Sequence, residues 1–403
     1  MKKLVFAALL AALSCLAAYS SQPTAQSSQP TAQSSQPNWQ QMADGMTNAL
    51  IKRFWGAEFP GYKKRYYFNY GSDMSNMTTE HYWPQAHAMD VIVDAYMRTG
   101  DKKFLAMYPL WWKGAPKFNF AGRKEDAWWN PFVDDMEWMV LTQIRMYEST
   151  SDKKYLKKAM QMYDDWIWTQ WGPEDEAPWY GGITWKTDVE KSKNACSNGP
   201  AAIIAARLYN FYDEAGMKGK KPREQYLAEA KKIYHWLKAT LFQPSGAVAD
   251  NMARNGEINR KWIFTYNQGT FLGAAHELYK ITGDKQYLAD AVKAADYVIE
   301  HMSRNRCVLG NATEGDGGLF HGIFFRYFVK LINDETLDMD TRHKFHAYLT
   351  HLATVMAEHG VNKNTMLYGG RWWKAPADNA PVGLTPHVTG CMLMEAMCVL
   401  KPL

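Results

Sequence analysis

Apolar residues recur at three- and four-residue spacing almost without a break from residue 38 to the end, which is the pattern of helix after helix. Convincing strands are almost absent. The pattern predicts twelve helices, at 38–54, 84–98, 102–112, 131–149, 152–170, 194–215, 222–241, 262–281, 284–304, 316–333, 338–359 and 383–400. Those at 84–98, 131–149, 194–215, 262–281, 316–333 and 383–400 are apolar or small on most faces, as buried helices are. Their partners open with Asp and Lys, as in Asp152-Lys153-Lys154 and Asp284-Lys285-Gln286, and carry charged faces.

A weak internal repeat organises these pairs. Thr99-Gly100-Asp101 precedes Phe104, Thr150-Ser151-Asp152 precedes Tyr155, and Thr282-Gly283-Asp284 precedes Tyr287. Each follows an aromatic helix end (Tyr96, Tyr147, Tyr279) and supplies an Asp cap for the next helix. The unit is therefore an αα-hairpin with a period of roughly 50 to 70 residues. Six hairpins close most simply into six inner and six outer helices, an all-α (α/α)6 barrel. The alternative, an open solenoid, lacks a polar capping repeat at either end. Loops entering the inner helices would converge on one mouth.

The most informative stretch is Trp128-Trp129-Asn130-Pro131-Phe132-Val133-Asp134-Asp135, leading into Met136 to Leu141. Asn130 reads as a cap with Pro131 at the first helical position. The helix is apolar on nearly every side, yet Asp134 and Asp135 sit one turn in. Acids near a helix start ordinarily serve only the dipole. In apolar surroundings a carboxylate is costly unless it is paired or serves a site. Neighbouring Cα atoms lie ~3.8 Å apart, so the two carboxyls can reach the ~5–5.5 Å separation of retaining glycosidases. Repulsion would keep one protonated as a general acid while the other stays ionised as a nucleophile. The ~6.5–9.5 Å gap of an inverting enzyme is harder for neighbours on one turn.

Composition supports this direction. Of 403 residues 14% are aromatic, including 17 Trp and 23 Tyr, a surplus suited to stacking on sugar rings or nucleobases. The net charge of +5 is interspersed, with no basic cluster for a phosphate backbone, so nucleic acid is disfavoured. Candidate sugar-binding residues are Trp128, Trp129, Tyr180, Gly182, Trp185, Asn194, Asp250, Tyr266, Asn267, Gln268, Asp316, Phe320, Arg326 and Tyr327. Singly each has a plain structural reading: the Asn-Gln-Gly run as a cap, the Gly pairs as turns, Arg326 as the partner of a buried Asp. His81, His87, His276, His321 and His387 form no metal pattern and read as solvated or core residues; no metal or organic cofactor is expected. Gly-x-Ser-x-Gly and Gly-rich phosphate loops are absent.

Residues 1–19 read as a secretory leader, with Lys2-Lys3 ahead of an apolar run from Leu4 to Leu13 that is too short to span a bilayer. Cys15, in Ala12-Leu13-Ser14-Cys15, resembles a bacterial lipoprotein cleavage site, although Leu13 is large for it; cleavage near Ala17 or Ala18 is the alternative. Residues 20–37 form a Ser/Gln/Pro repeat, expected to be a disordered tether, and 38–403 the folded domain. The expectation is an exported monomer, held at the cell envelope (outer-membrane surface or periplasm) by an N-terminal lipid, or secreted where ordinary cleavage removes the leader. Cys196, Cys307, Cys391 and Cys398 are too scattered to imply disulfides.

Val133-Asp134-Asp135-Met136-x-Trp138, Gly181-Gly182-Ile183-x-Trp185, Lys193-Asn194-Ala195, Tyr266-Asn267-Gln268-Gly269 and Phe320-His321-Gly322-Ile323-Phe324-x-Arg326-Tyr327 occur in order, with His81-Tyr82-Trp83-Pro84-Gln85-Ala86-His87-Ala88 ahead of them. Together, over about residues 45 to 333, they resemble glycoside hydrolase family 76. The resemblance implies an (α/α)6 barrel and retaining hydrolysis of α-1,6-mannan, with Asp134 as nucleophile and Asp135 as acid/base. His321 departs from the family pattern, which more often has Lys there. The expected activity is endo-cleavage of the α-mannan backbone of fungal cell walls. The alternatives are another hydrolase or a transglycosylase on the same barrel, such as an unsaturated-uronide hydrolase, and a non-catalytic glycan-binding lipoprotein.

Overall fold

The repeated Thr-x-Asp is one turn made three times. The carbonyls of Tyr96, Tyr147 and Tyr279 accept the N–H of a left-handed residue, Gly100 (φ 67°), Ser151 (φ 57°) and Gly283 (φ 71°) respectively. The hydroxyls of Thr99, Thr150 and Thr282 donate to the carbonyl four residues back and accept the N–H of the following Asp. Each Asp side chain then accepts the N–H two residues on, from Lys103, Lys154 and Gln286. One helix end and the next helix start are thus satisfied together.

The computed structural model describes residues 37–58, 65–69, 82–119, 121–187, 192–214, 221–304, 307–312 and 314–403. The leader, Cys15, the tether to residue 36 and His81 lie outside them. The described helices are α1 (Trp39–Phe54), α2 (Pro84–Thr99), α3 (Lys102–Leu105), α4 (Met107–Phe118), α5 (Val133–Thr150), α6 (Lys153–Met162), α7 (Ala195–Phe211), α8 (Arg223–Thr240), α9 (Thr265–Thr282), α10 (Lys285–Tyr297), α11 (Phe320–Ile332), α12 (Met339–Val355) and α13 (Leu384–Val399).

Helices α2, α5, α7, α9, α11 and α13 pack each on the next, and α13 returns to α2, so the inner ring closes. Helices α1, α4, α6, α8, α10 and α12 lie outside them, with α1 packed on α13, so the two ends of the described chain make the sixth hairpin. This is the expected (α/α)6 barrel. Burial follows the two characters seen in the sequence. Every residue of α7 from Ala195 to Leu208 and of α13 from Leu384 to Met397 is buried, whereas α6 buries only Tyr155, Leu156, Ala159, Met160 and Met162. The inner helices approach closely: a Cβ at Gly269 of α9 would lie 2.7 Å from the Phe324 Cα of α11.

Two expectations need correction. The helix expected at 102–112 breaks after Leu105 and restarts at Met107, because the ring of Pro109 clashes with the carbonyl four residues earlier. Helix α5 starts at Val133 rather than at an Asn130 cap. Asn130 Oδ1 instead accepts the Phe132 N–H (2.8 Å), Phe132 bridges Lys186 as a strand residue, and the Val133 N–H donates to the Trp185 carbonyl (2.8 Å). Asp134 and Asp135 therefore occupy the first turn. Strand structure is as scarce as the sequence suggests, and what there is gathers beside the mouth. A hairpin runs from Ala249, bridged to Ile263, through Met252, bridged to Ile258, and turns at Asn255-Gly256 with Gly256 at φ 84°. Its strand β2 (Asn251–Met252) pairs antiparallel with β1 (Lys193–Asn194). Asn-Gly is the strongest short hairpin signal a sequence carries.

Gly269→Ala should force α9 and α11 apart and lower stability by about 1–3 kcal/mol, read as a fall in the thermal midpoint. An unchanged midpoint would show that the ring can relax there.

Candidate active site

The mouth of the barrel holds a cleft of about 1060 Å³. Aromatic rings from five segments face it: Trp83, Phe132 with Trp138, Trp185, Trp262 with Tyr266, and Phe320. Tyr266 and Phe320 are stacked, with centroids 4.0 Å apart and planes 9° from parallel. Asp134, Asp135, Asn194, Cys196, Asp250, Arg254, Glu257 and Asp316 supply its polar lining.

Within this cleft the two aspartates are not equivalent. Asp134 Oδ2 accepts hydrogen bonds from Trp185 Nε1 (3.2 Å) and from the Cys196 thiol (3.3 Å). Burial pushes the thiol far above its usual range, with Asp134's charge adding to the effect, so Cys196 stays S–H and serves as a donor. Asp135 accepts no hydrogen bond among the described residues and feels the charges of Asp134 and Asp316. Burial raises both carboxyls. The donors oppose that rise at Asp134, and the neighbouring charges add to it at Asp135. Asp134 is therefore the member that ionises first, and Asp135 the one that keeps its proton.

Other residues hold the cleft's shape. Asp250 Oδ1 accepts from Asn267 Nδ2 (2.8 Å) and from the Tyr266 hydroxyl (3.2 Å), and Asp316 Oδ1 accepts from Trp83 Nε1 (3.0 Å). Asn194 faces the cleft with its Oδ1 buried and without a partner among the described residues. Trp185, Asn194, Asp250, Tyr266, Asp316 and Phe320 thus join Asp134 and Asp135 as expected, with Asn267 behind Asp250.

Several candidates lie elsewhere. Trp128 is buried against Trp111 and Trp112 of α4, and Trp129 lies under the Arg123 guanidinium, so both anchor the loop rather than line the cleft. Gln268 is fully buried and bonded to the backbone of Val248, Gly246 and Ala294, which pins the turn before the hairpin. Arg326 pairs with Asp94 (3.1 Å) in a buried ion network, and Tyr327 is buried beside Arg207 around a separate small cavity. The plain reading of Arg326, as partner of a buried Asp, is the correct one. Tyr180 and Gly182 are outside the cleft: Gly182 packs on Trp236, and its carbonyl accepts from Lys193 Nζ (2.7 Å). His321 is held by Thr265 (2.7 Å) and the Gly310 carbonyl (2.8 Å), and His387 by the Met46 carbonyl (3.1 Å). Arg254, Glu257 and Trp262 also line the cleft and are not among the expected residues: the first two flank the Asn-Gly turn in a stretch expected to be loop, and Trp262 falls at the start of the helix expected at 262–281.

The model of glycosyl hydrolase family 76 matches residues 59–402. The chain belongs to this family. No curated protein is similar enough to match it. Among solved structures it is similar to the GH76A α-1,6-mannanase of Salegentibacter sp. HEL1_6, with 36% identity over 90% of this chain and 100% of that one and a TM-score of 0.79. An inactive variant of that enzyme, with two consecutive aspartates replaced by alanine, is known in complex with α-1,6-mannotetrose (35% identity, 90% of this chain and 100% of that one, TM-score 0.79). The Lin0763 protein of Listeria innocua is 27% identical, over 89% of this chain and 96% of that one, with a TM-score of 0.75. As a member of family 76, the protein is a glycoside hydrolase.

One carboxyl beneath the dyad has no place in that chemistry. Glu137, three residues past Asp134, is fully buried, and neither carboxyl oxygen finds a partner among the described residues. Burial, and then Asp134's charge, raise its pKa far above the ordinary value, so the folded protein holds it neutral. The unfolded chain loses this proton near pH ~4.3. Above that pH the folded state binds more protons, and stability falls by about 1.4 kcal/mol per pH unit until the folded pKa is reached. Glu137→Met should therefore raise the thermal midpoint, and raise it more at pH 8 than at pH 5. A gain independent of pH, in calorimetric scans across that range, would contradict a neutral Glu137.

Proposed function

We propose that the protein is a retaining endo-α-1,6-mannanase that cuts the backbone of fungal mannan. The unequal surroundings of Asp134 and Asp135 carry this reading. Asp134, with two donors on its carboxylate, attacks the anomeric carbon as the glycosidic C–O bond breaks. Asp135 delivers its proton to the departing oxygen. The glycosyl ester then removes Asp134's negative charge, the very charge that raised the proton affinity of Asp135. Asp135 is thereby left as a carboxylate able to take a proton from the incoming water. Attack by that water restores Asp134 and retains the anomeric configuration. The aromatic rings facing the cleft supply stacking surfaces for successive mannose units. The substrate bound by the Salegentibacter enzyme, and the loss of its activity with two adjacent aspartates, support the same assignment.

Proton NMR of the first products from debranched α-1,6-mannan tests the reading. The α-anomer should appear first, in oligosaccharides of several lengths; initial β-anomer, or release of single terminal units alone, would overturn it. Asp134→Asn and Asp135→Asn should each abolish turnover while leaving mannan binding intact.

The pH profile provides a separate check. The acid limb of kcat/KM should lie above the ordinary carboxylate range because burial raises Asp134. Deleting a donor destabilises that carboxylate further, so Cys196→Ala and Trp185→Phe should each move the limb up by about one pH unit. Cys196→Ser, which keeps a donor, should not move it. Limbs that coincide in all four proteins would remove Asp134 from the ionisation.

The leader at 1–19 and Cys15 extend the proposal to an exported monomer held at the cell envelope by lipid. Palmitate labelling that survives Cys15→Ser would exclude that anchor.

A further inference from the structure

Tyr180, excluded from the cleft, belongs to a second aromatic surface. After α6 the chain runs through a π-helical turn (Tyr163–Ile167) and a 3-10 turn (Trp168–Gln170) to Trp171 and on to Trp179 and Tyr180, which with Trp236 of α8 line a groove of about 350 Å³. Tyr180 is 60% exposed and sits at φ 45°, a left-handed conformation that costs a non-glycine residue about 1–2 kcal/mol. The fold thus holds a large ring out in solvent at some expense in stability. Glu174 and Lys232 form an ion pair at the groove, and Glu174 accepts from Trp171 Nε1 (3.4 Å). Flat apolar faces beside a charged pair that can exchange hydrogen bonds with hydroxyls make a surface suited to sugar.

Position ties the groove to the cleft. Met252 lines the groove, whereas its neighbours Asn251 and Ala253 line the cleft, as alternate residues of a strand should. The two sites therefore occupy opposite faces of one β-ribbon. The most exposed large aromatic side chains near that ribbon, Trp262 at 55% and Tyr180 at 60%, lie one on each side.

We propose that this groove is a secondary binding site for a segment of α-mannan distinct from the one being cut. It would raise the effective concentration of polymer at the cleft without touching the reacting bond. The proposal rests on mannan as the substrate, and its test separates the two. Tyr180→Ala and Lys232→Ala, each and combined, are compared with wild type for cleavage of α-1,6-mannotetrose, for cleavage of long α-1,6-mannan, and for retention in native gels cast with that mannan. The double variant should match wild type on the tetrasaccharide within about twofold. On the polymer it should lose about tenfold or more in kcat/KM, together with its retention in the gel. Equal behaviour on both substrates with unchanged retention overturns the groove site, as does an equal loss on both, which would make these residues part of the cleft. A wild type that cleaves neither substrate refutes the proposed activity instead. Gel retention still decides the groove in that case, since binding needs no turnover: retention that survives both substitutions overturns it, and retention they abolish supports it.

Discussion

Two carboxyls placed side by side, half-buried in the wall of the cleft, resist being charged together, and most of the mouth is arranged around how that conflict is resolved. The resolution is the pair of donors on Asp134, and these come from the segment ending at Trp185 and from the start of α7. The indole donor is held in turn. The Trp185 carbonyl accepts from Val133, the Ile183 backbone is bonded on both sides by the Asn198 side chain, and Lys193 clamps the Gly182 carbonyl and the Thr184 hydroxyl. The loop looks irregular, yet its bonds converge on keeping one indole N–H beside one oxygen.

A second charged system lies deeper in the barrel and is kept apart from the first. Asp90 and Asp94 of α2 meet Arg145 of α5 and Arg326 of α11, while Arg207 of α7 meets Glu277 of α9. Such buried pairs add little net stability, but breaking one leaves an uncompensated charge in the interior, which disfavours any packing that separates them. Between them and the cleft lies an aromatic layer, with the His87 ring 4.9 Å from Trp138 and 5.4 Å from Trp83. Burial lowers the His87 pKa to about 3, so the imidazole stays neutral and carries no charge between the two systems.

What could be read in the sequence was whatever local rules determine. The Thr-x-Asp turns, the alternation of buried and charged helices and the closed ring all follow from capping and periodicity, and the structure repeats them with nearly the same hydrogen bonds each time. Residues whose role depends on side-chain direction were less legible. Trp128 and Trp129 adjoin the dyad in sequence but turn outward onto α4 and Arg123, and Gln268 adjoins Asn267 but faces the opposite way. Aromatic richness misled in the same manner. Many of these rings only hold helices and loops together, as Trp112 does against Tyr155 between α4 and α6 and Trp111 against Trp128, and composition cannot distinguish that use from a sugar platform.

Why Asp134 and not Asp135 should carry the charge was beyond any local reading, for a reason that can be stated. The pair share a helix turn, a dipole and an apolar setting, so nothing within residues 128 to 141 tells them apart. Their difference arrives from Trp185 and Cys196, 51 and 62 residues further along the chain. Neither residue type advertises the part: the tryptophan reads as a stacking platform and the cysteine as a buried thiol. Only the packing of α7 against α5, its neighbour in the inner ring, brings the thiol to the oxygen, and only the bridge between Phe132 and Lys186 brings the indole. The barrel thus does more than display the two aspartates at its mouth; the neighbours it packs against α5 make them chemically different.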